Sequence, residues 1–450
     1  MTNSETKNFS QNVSSSYHLE DRCKCNKNTC TNARNVPKLR FKRYNDEWKH
    51  YRLKDITTRI TRKNKKLESD RPLTISAIDG LIDQKDYFNR QIASKDMSGY
   101  YLLKNGEFAY NKSYSNGFPY GSIKRLNKYD KGALSTLYIC FSLQNICSDF
   151  LEKYFETDKW YKEIYMIAVE GARNHGLLNI SVEDFFNTMH KFPNIEEQEK
   201  IASFLTLIDK KIEKQKELVE LLKKYKRGLL SAIFSQKLRF KDDNGNDYPA
   251  WEECRFDEIF QILRNNTLSR ECLNYTDAGV KNIHYGDILV KYNTCINDEI
   301  DKIPNINSDI NLYKISDDNY LKVGDVIMAD TAEDYTVGKA CEIVSCKAKI
   351  LSGLHTIPCR PKRNFAKGYL GYYLNSAEYH DKLIPLITGI KVSAISKKEI
   401  KKTIIKYPIY MEQAKIANLL ILIENKLNSN IKKLELLETY KKGLLQQLFI

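Results

Sequence analysis

Glu197-Gln198-Glu199-Lys200-Ile201-Ala202 returns 215 residues later as Glu412-Gln413-Ala414-Lys415-Ile416-Ala417. The alignment runs without a gap to Phe234 over Phe449, with 18 of 38 positions identical, where average residue usage gives roughly two or three by chance. The chain is therefore an internal duplication, and its fold follows from what the duplicated stretch is. Pro193 and Pro408 stand just before each copy, Glu196-Glu197 and Glu412 fall in the first turn, and no breaker occurs before Gly228 and Gly443. Both copies read as helices.

Their apolar residues recur every seven positions. One ladder is Ile201, Ile208, Gln215, Leu222 and Leu229, with Leu205, Ile212 and Val219 beside it; the other is Ile416, Ile423, Asn430, Leu437 and Leu444, with Leu420, Leu427 and Leu434. These are coiled-coil seams, each interrupted by one amide at the same repeat position. The reading predicts two helices packed antiparallel with Gln215 and Asn430 fixing the register; the alternative is that each amide faces solvent at a local stutter. A helix of about 38 residues spans about 57 Å, long enough to hold the flanking parts of the two halves well apart.

Upstream, similarity thins but keeps its order. Lys38-Leu39-Arg40-Phe41 with Trp48 recurs as Lys237-Leu238-Arg239-Phe240 with Trp251. Lys104, Gly106 and Glu107 correspond to Lys322, Gly324 and Asp325, and Ile180-Ser181 to Ile395-Ser396. Residues 43–195 and 248–408 mix short β-type runs (73–78, 107–110, 137–141, 323–328, 341–344) with helical stretches at 150–168 and 368–387. The fold class is α/β: two mixed α/β domains in tandem, separated by two long antiparallel coiled-coil helices, with an internal pseudo-twofold repeat. The expected boundaries are a polar extension over 1–36, a first domain over 37–195, a helix over 196–236, a second domain over 237–408 and a helix over 409–450.

A formal charge of +15 and a pI near 9.0 favour a polyanionic partner, since lysine and arginine release counterions from phosphate. Loops joining bases, amides and aromatics are the candidate DNA contacts. In the first domain they are Arg59, Arg62, Lys63 and Lys65, then Asn111, Lys112, Ser113 and Tyr114, then Arg173, Asn174 and His175; in the second, Arg264, Asn265 and Asn266, then Lys291 and Tyr292, and Lys391. The heads differ in these loops, so they are expected to read different sequences.

Other chemistry finds no seat. The chain carries no G-x-G-x-x-G, no G-x4-G-K-[ST], no H-E-x-x-H and no N-P-P-[YF], so neither catalysis nor cofactor binding is expected of it. Asp242–Asp247 resembles part of a calcium loop but meets Cys254 where the closing glutamate belongs, and reads as a polar connector. Eleven scattered cysteines suggest free thiols in a reducing compartment. His18, Cys23, Cys25 and Cys30 lack paired knuckles, leaving zinc as the minor alternative to an unstructured tail. Apolar runs such as Leu419–Ile423 are far too short to cross a bilayer and the start is polar, so a cytoplasmic protein without a membrane span is expected.

Taken in order, the opening motif Val36-Pro37-Lys38-Leu39-Arg40-Phe41 with Trp48, its recurrence through Tyr248-Pro249-Ala250-Trp251-Glu252, the helix openings and the helix ends Tyr225–Leu230 and Tyr440–Leu445 resemble the specificity subunit of type I restriction-modification systems. That resemblance implies two target recognition domains reading a bipartite, asymmetric site in double-stranded DNA, in defence against foreign DNA by methylation and restriction. It implies docking of two methyltransferase subunits on the helices, with restriction/translocase subunits joining. S-adenosylmethionine, ATP and magnesium would belong to those partners, none to this chain. A coiled-coil scaffold presenting two protein-binding heads is the rival reading.

Overall fold

The duplicated stretches form one helix each in the computed structural model, Ile195–Phe234 and Tyr410–Leu448. The structure describes residues 35–88, 93–168, 178–276, 278–312, 315–389 and 391–450. Cys23, Cys25 and Cys30 lie outside them, as do Arg173, Asn174 and His175. Two compact units emerge, one running to Leu207 and including Lys441–Ile450, the other Ile208–Tyr440. Neither helix stops at its glycine. Space is open around Gly228 and Gly443, and the turn that follows carries Leu229, Ile233 and Phe234, or Leu444, Leu448 and Phe449, into the interior; burying three large side chains outweighs the ~1 kcal/mol that glycine costs a helix.

Within the second unit the helices pack antiparallel. Val219, Leu222 and Leu427 bury together against Ile431, and Lys216 pairs with Glu438 at 2.8 Å while Lys226 pairs with Glu424. Partner numbers fall as the first rises. Gln215, 6% exposed, donates through Nε2 to Asn430 Oδ1 at 2.9 Å and to the Asn430 carbonyl at 3.1 Å. The two seam amides thus satisfy each other instead of turning to solvent.

The duplication persists in the heads as topology. In the first unit an antiparallel sheet runs Thr57–Arg59, Ile139–Leu143, Phe108–Asn111, Ser122–Arg125. The second unit repeats that order as Phe260–Ile262, Thr356–Pro361, Val326–Ala329, Ala340–Ser345, then adds Cys295–Asn297 at the edge. A second sheet in each unit contains one parallel pair, Pro72–Ser76 with Lys131–Leu134, and Lys281–Ile283 with Ile350–Ser352. The anticipated long helices at 150–168 and 368–387 are broken. The first splits into Ser148–Phe155 and Tyr161–Ile167, because Thr157 Oγ1 bonds back to the Tyr154 carbonyl at 2.6 Å and Trp160 turns into the core. The second stops at Asn375, whose amide reaches the Ala340 and Gly371 carbonyls, both at 2.7 Å.

The most repeated motifs prove to be joints. Glu197, fully buried, accepts Arg40 Nε and Nη2 at 2.8 and 2.7 Å; Glu412, also fully buried, accepts Arg239 at 3.1 and 2.6 Å. The next residue ties the head. Gln198 donates to the Pro193 carbonyl and accepts from the Cys147 N–H; Gln413 donates to the Pro408 carbonyl and accepts from the Ala366 N–H. Trp48 lies 6.4 Å from Phe449 and Trp251 6.4 Å from Phe234, so each opening tryptophan packs on the phenylalanine that closes a helix. The Leu39 N–H donates to the Gln447 carbonyl as the Leu238 N–H does to Ala232. In the first unit the opening motif therefore meets the chain's last turn in the arrangement that the second unit makes by direct continuation.

Among the described residues no helix is long and apolar enough to cross a membrane, and no group of His, Cys, Asp and Glu is placed to hold a metal ion. The described cysteines are free thiols.

Candidate nucleic-acid interface

In the second unit, five chain segments far apart in sequence converge on one face. The strand Phe260–Ile262 ends with the Leu263 N–H on the Pro358 carbonyl, and the loop after it is stitched down by the Asn266 N–H on the Ser352 carbonyl, both at 2.8 Å. Asn265 donates to the Gly353 carbonyl and accepts Lys397 Nζ at 2.9 Å. Asn266 donates to Asn282 Oδ1 at 2.6 Å. Further along the loop, Arg270 Nη1 grips both oxygens of Asp287 at 2.9 and 2.8 Å, and Lys291 reaches the same carboxylate at 2.9 Å.

His284 caps the helix Tyr285–Val290 by accepting the Gly286 N–H at its Nδ1. Burial, reinforced by the nearby Arg270 charge, lowers its pKa from the ordinary histidine value, which keeps it an acceptor at neutral pH. Its ring lies 4.6 Å from that of Tyr285, which meets the His355 ring at 5.3 Å. His355 holds a left-handed backbone (φ 55°) and stands 3.3 Å from both Asp330 Oδ1 and Thr331 Oγ1. A non-glycine residue in that region is held there by its surroundings. Thr331–Ala332 pairs with Ser393–Ala394, and Ala394 also bridges Thr388, with Lys391 exposed nearby. Glycine is required at 389, since at φ 107° a Cβ would lie 2.0 Å from the Val392 carbonyl oxygen.

Of the residues expected from sequence, Arg264, Asn265, Asn266, Lys291 and Lys391 all fall on or beside this face. Tyr292 does not. It is 4% exposed in the core with Ile288 and Ile296, its hydroxyl 3.3 Å from the Lys302 carbonyl, because it leaves the short helix on the side opposite Lys291. Arg270, His284, His355 and Lys397 were missed. They come together through sheet order, which leaves no local pattern to find.

The first unit builds the equivalent places from different side chains. Counting from the paired short helices Leu53–Ile56 and Phe256–Ile259, Thr61, Arg62 and Lys63 stand where Arg264, Asn265 and Asn266 stand. Arg62 and Lys63 are engaged within the domain: Arg62 on the Leu102 carbonyl at 2.9 Å and Glu107 at 2.7 Å, Lys63 on the Gly99 carbonyl at 2.9 Å and 4.2 Å above the Tyr101 ring. Arg59 and Lys65 are exposed. Asn111 accepts the Ser113 N–H, and Lys112 Nζ donates to the Ile180 carbonyl. This strip receives the Leu178 N–H on the Lys112 carbonyl at 3.0 Å, as the strip at Asp330 receives the Ile395 N–H at 2.9 Å. Tyr114 is 60% exposed beside it.

Two solved structures align along nearly all of the chain. One, from work on complex assembly and conformational transition of the type I R-M system, covers 89% of this chain and 97% of its own at 17% identity and a TM-score of 0.52. The other is the type I restriction-modification system S subunit of M. genitalium, covering 92% and 99% at 15% identity and a TM-score of 0.51. The chain has the fold of a type I restriction-modification specificity subunit. Among curated proteins, a Methanocaldococcus jannaschii protein named as the MjaX type I restriction enzyme specificity subunit is 22% identical over 222 residues, 48% of this chain. The match spans about half (49%) of that relative's length. No protein-family model matches. In this chain the helices and their joints are what the two halves share, and the convergent loops are where the two heads differ.

Proposed function

We propose that the chain is the DNA-specificity subunit of a type I restriction-modification complex, reading one half of a bipartite, asymmetric site with each head. One observation carries the reading: two heads of the same topology, on one duplicated scaffold, offer different side chains at equivalent places. Exposed Thr61 against exposed Arg264 is the clearest case. A guanidinium reads guanine while a threonine hydroxyl bonds either purine or pyrimidine edges, so unlike side chains at like positions yield unlike half-sites.

The helices supply the second surface. Leu221 and Tyr225 are 63% and 56% exposed, and their repeat mates Leu436 and Tyr440 61% and 54%. Large apolar side chains exposed at the same repeat positions suit two copies of one partner, here two methyltransferase subunits, with restriction/translocase subunits joining them. S-adenosylmethionine, ATP and magnesium act on those partners in the cytoplasm, and this chain contributes selection without chemistry.

Methylome sequencing of the host with and without the gene tests the reading. Loss of one split, asymmetric motif is expected. An unchanged methylome, or loss of a continuous palindrome, refutes it.

A further inference from the structure

We propose that a surface cavity beside the strand Lys281–Ile283 is a seat for a phosphodiester of the DNA backbone, and that Asp287 positions its cations against the loop that faces the bases; this rests on the DNA-reading function above. The cavity measures about 680 Å³ and is lined chiefly by Tyr275, Lys281, Lys291, Asp301, Lys302 and Asn305. Three ammonium groups face one carboxylate across it, the balance that suits an anion.

Two of the cations, Lys281 and Lys291, are held and keep donors to spare. Lys281 Nζ donates one proton to the Asp298 carbonyl at 2.9 Å. Lys291 lies 5.0 Å over the Tyr275 ring, bonded to its hydroxyl and to Asp287. Lys302 is exposed at the rim, and the buried Tyr292 hydroxyl grips its carbonyl. Tyr292 thus supports the seat from beneath without touching a ligand.

Asp287 joins this seat to the base-facing loop. Its side chain is 1% exposed, whereas Arg270 and Lys291 on either side of it are 49% and 45% exposed. A buried carboxylate between two exposed cations suppresses their mutual repulsion and fixes their spacing. Arg270 lies against Gly286, with its Nη2 3.3 Å from where a Cβ would stand, and its charge acts on His284, so one prong faces the convergent loops and the other the cavity. A strand whose base edges meet those loops runs its phosphates along the adjoining surface, which favours a phosphodiester over a free metabolite or an acidic peptide.

The test uses the full-length chain and a mixed-sequence DNA duplex, with anisotropy titrations across a salt series. Combining Lys281→Gln, Lys291→Gln and Lys302→Gln is expected to weaken binding about tenfold or more and to flatten the log affinity against log salt slope by about two to three. An unchanged slope overturns the seat. Asp287→Asn makes the chain more positive, so charge alone predicts tighter binding, whereas positioning predicts binding several-fold weaker; tighter binding overturns the positioning role. Arg270→Lys reads the same role without emptying the surroundings of the carboxylate, and is expected to weaken binding at constant charge, with unchanged binding counting against it. A wild-type chain whose DNA affinity is indifferent to salt overturns the DNA-reading function itself, and the seat with it.

Discussion

Replacing both seam amides, Gln215→Leu with Asn430→Leu, is expected to stabilise the helix pair and loosen its register. The amide pair contributes about 1 kcal/mol net, the usual worth of a neutral hydrogen bond after desolvation. Gln215 is 6% exposed and Asn430 half-buried, so two leucines packed against Val219, Leu222 and Leu427 gain about 2–4 kcal/mol by transfer. The balance is a gain of about 1–3 kcal/mol, or a few degrees in Tm for a unit of this size. What is lost is discrimination, since an all-apolar seam matches itself equally well when displaced by a heptad. The ion pairs Lys216–Glu438 and Lys226–Glu424 report register directly. Carbodiimide cross-linking with mass spectrometry should return those two pairs from wild type, and from the double variant further pairs shifted by seven residues or joining two chains. A less stable variant, or a monomer with only the wild-type cross-links, refutes the argument that the amides specify alignment.

The joints give a sharper stability prediction. Arg239→Met leaves fully buried Glu412 without its guanidinium and should cost about 3–5 kcal/mol in urea unfolding, with Glu412→Gln in the same chain recovering most of it; additive losses would show the pair is not a unit. His190, 3% exposed between Tyr154 and Thr188, has its pKa lowered from 6.5 to about 4 by burial. Its folded value lies below its unfolded one, so the first unit holds full stability from this group above about pH 6.5 and loses it as pH falls toward 4. The loss should reach about 3 kcal/mol, and His190→Gln should remove that slope from the pH dependence of unfolding; an unaltered slope would assign it elsewhere.

The repeat was legible because packing and capping act within a few residues, and identity at a fixed offset exposes whatever both copies keep. Glu197 and Glu412 read correctly as first-turn acids, yet their weightier role lies with arginines 157 and 173 residues away, a distance over which no periodicity reports. The same limit shaped the interface. Arg62 looked available because Glu107, its partner, is 45 residues off, and Tyr292 looked exposed because it follows Lys291, although a helix end sends neighbours to opposite sides. Conversely, Arg270, Asp287 and Lys291 were scattered bases and an acid until one buried carboxylate gathered them. The part of a DNA reader that sequence hides is thus its bracing. Sequence marks which loops vary, but how a given cation is held is decided by partners elsewhere in the chain: Arg62 is tied to Glu107 and the Leu102 carbonyl, and Lys291 to Asp287 and Tyr275, each with its side chain still partly open to solvent.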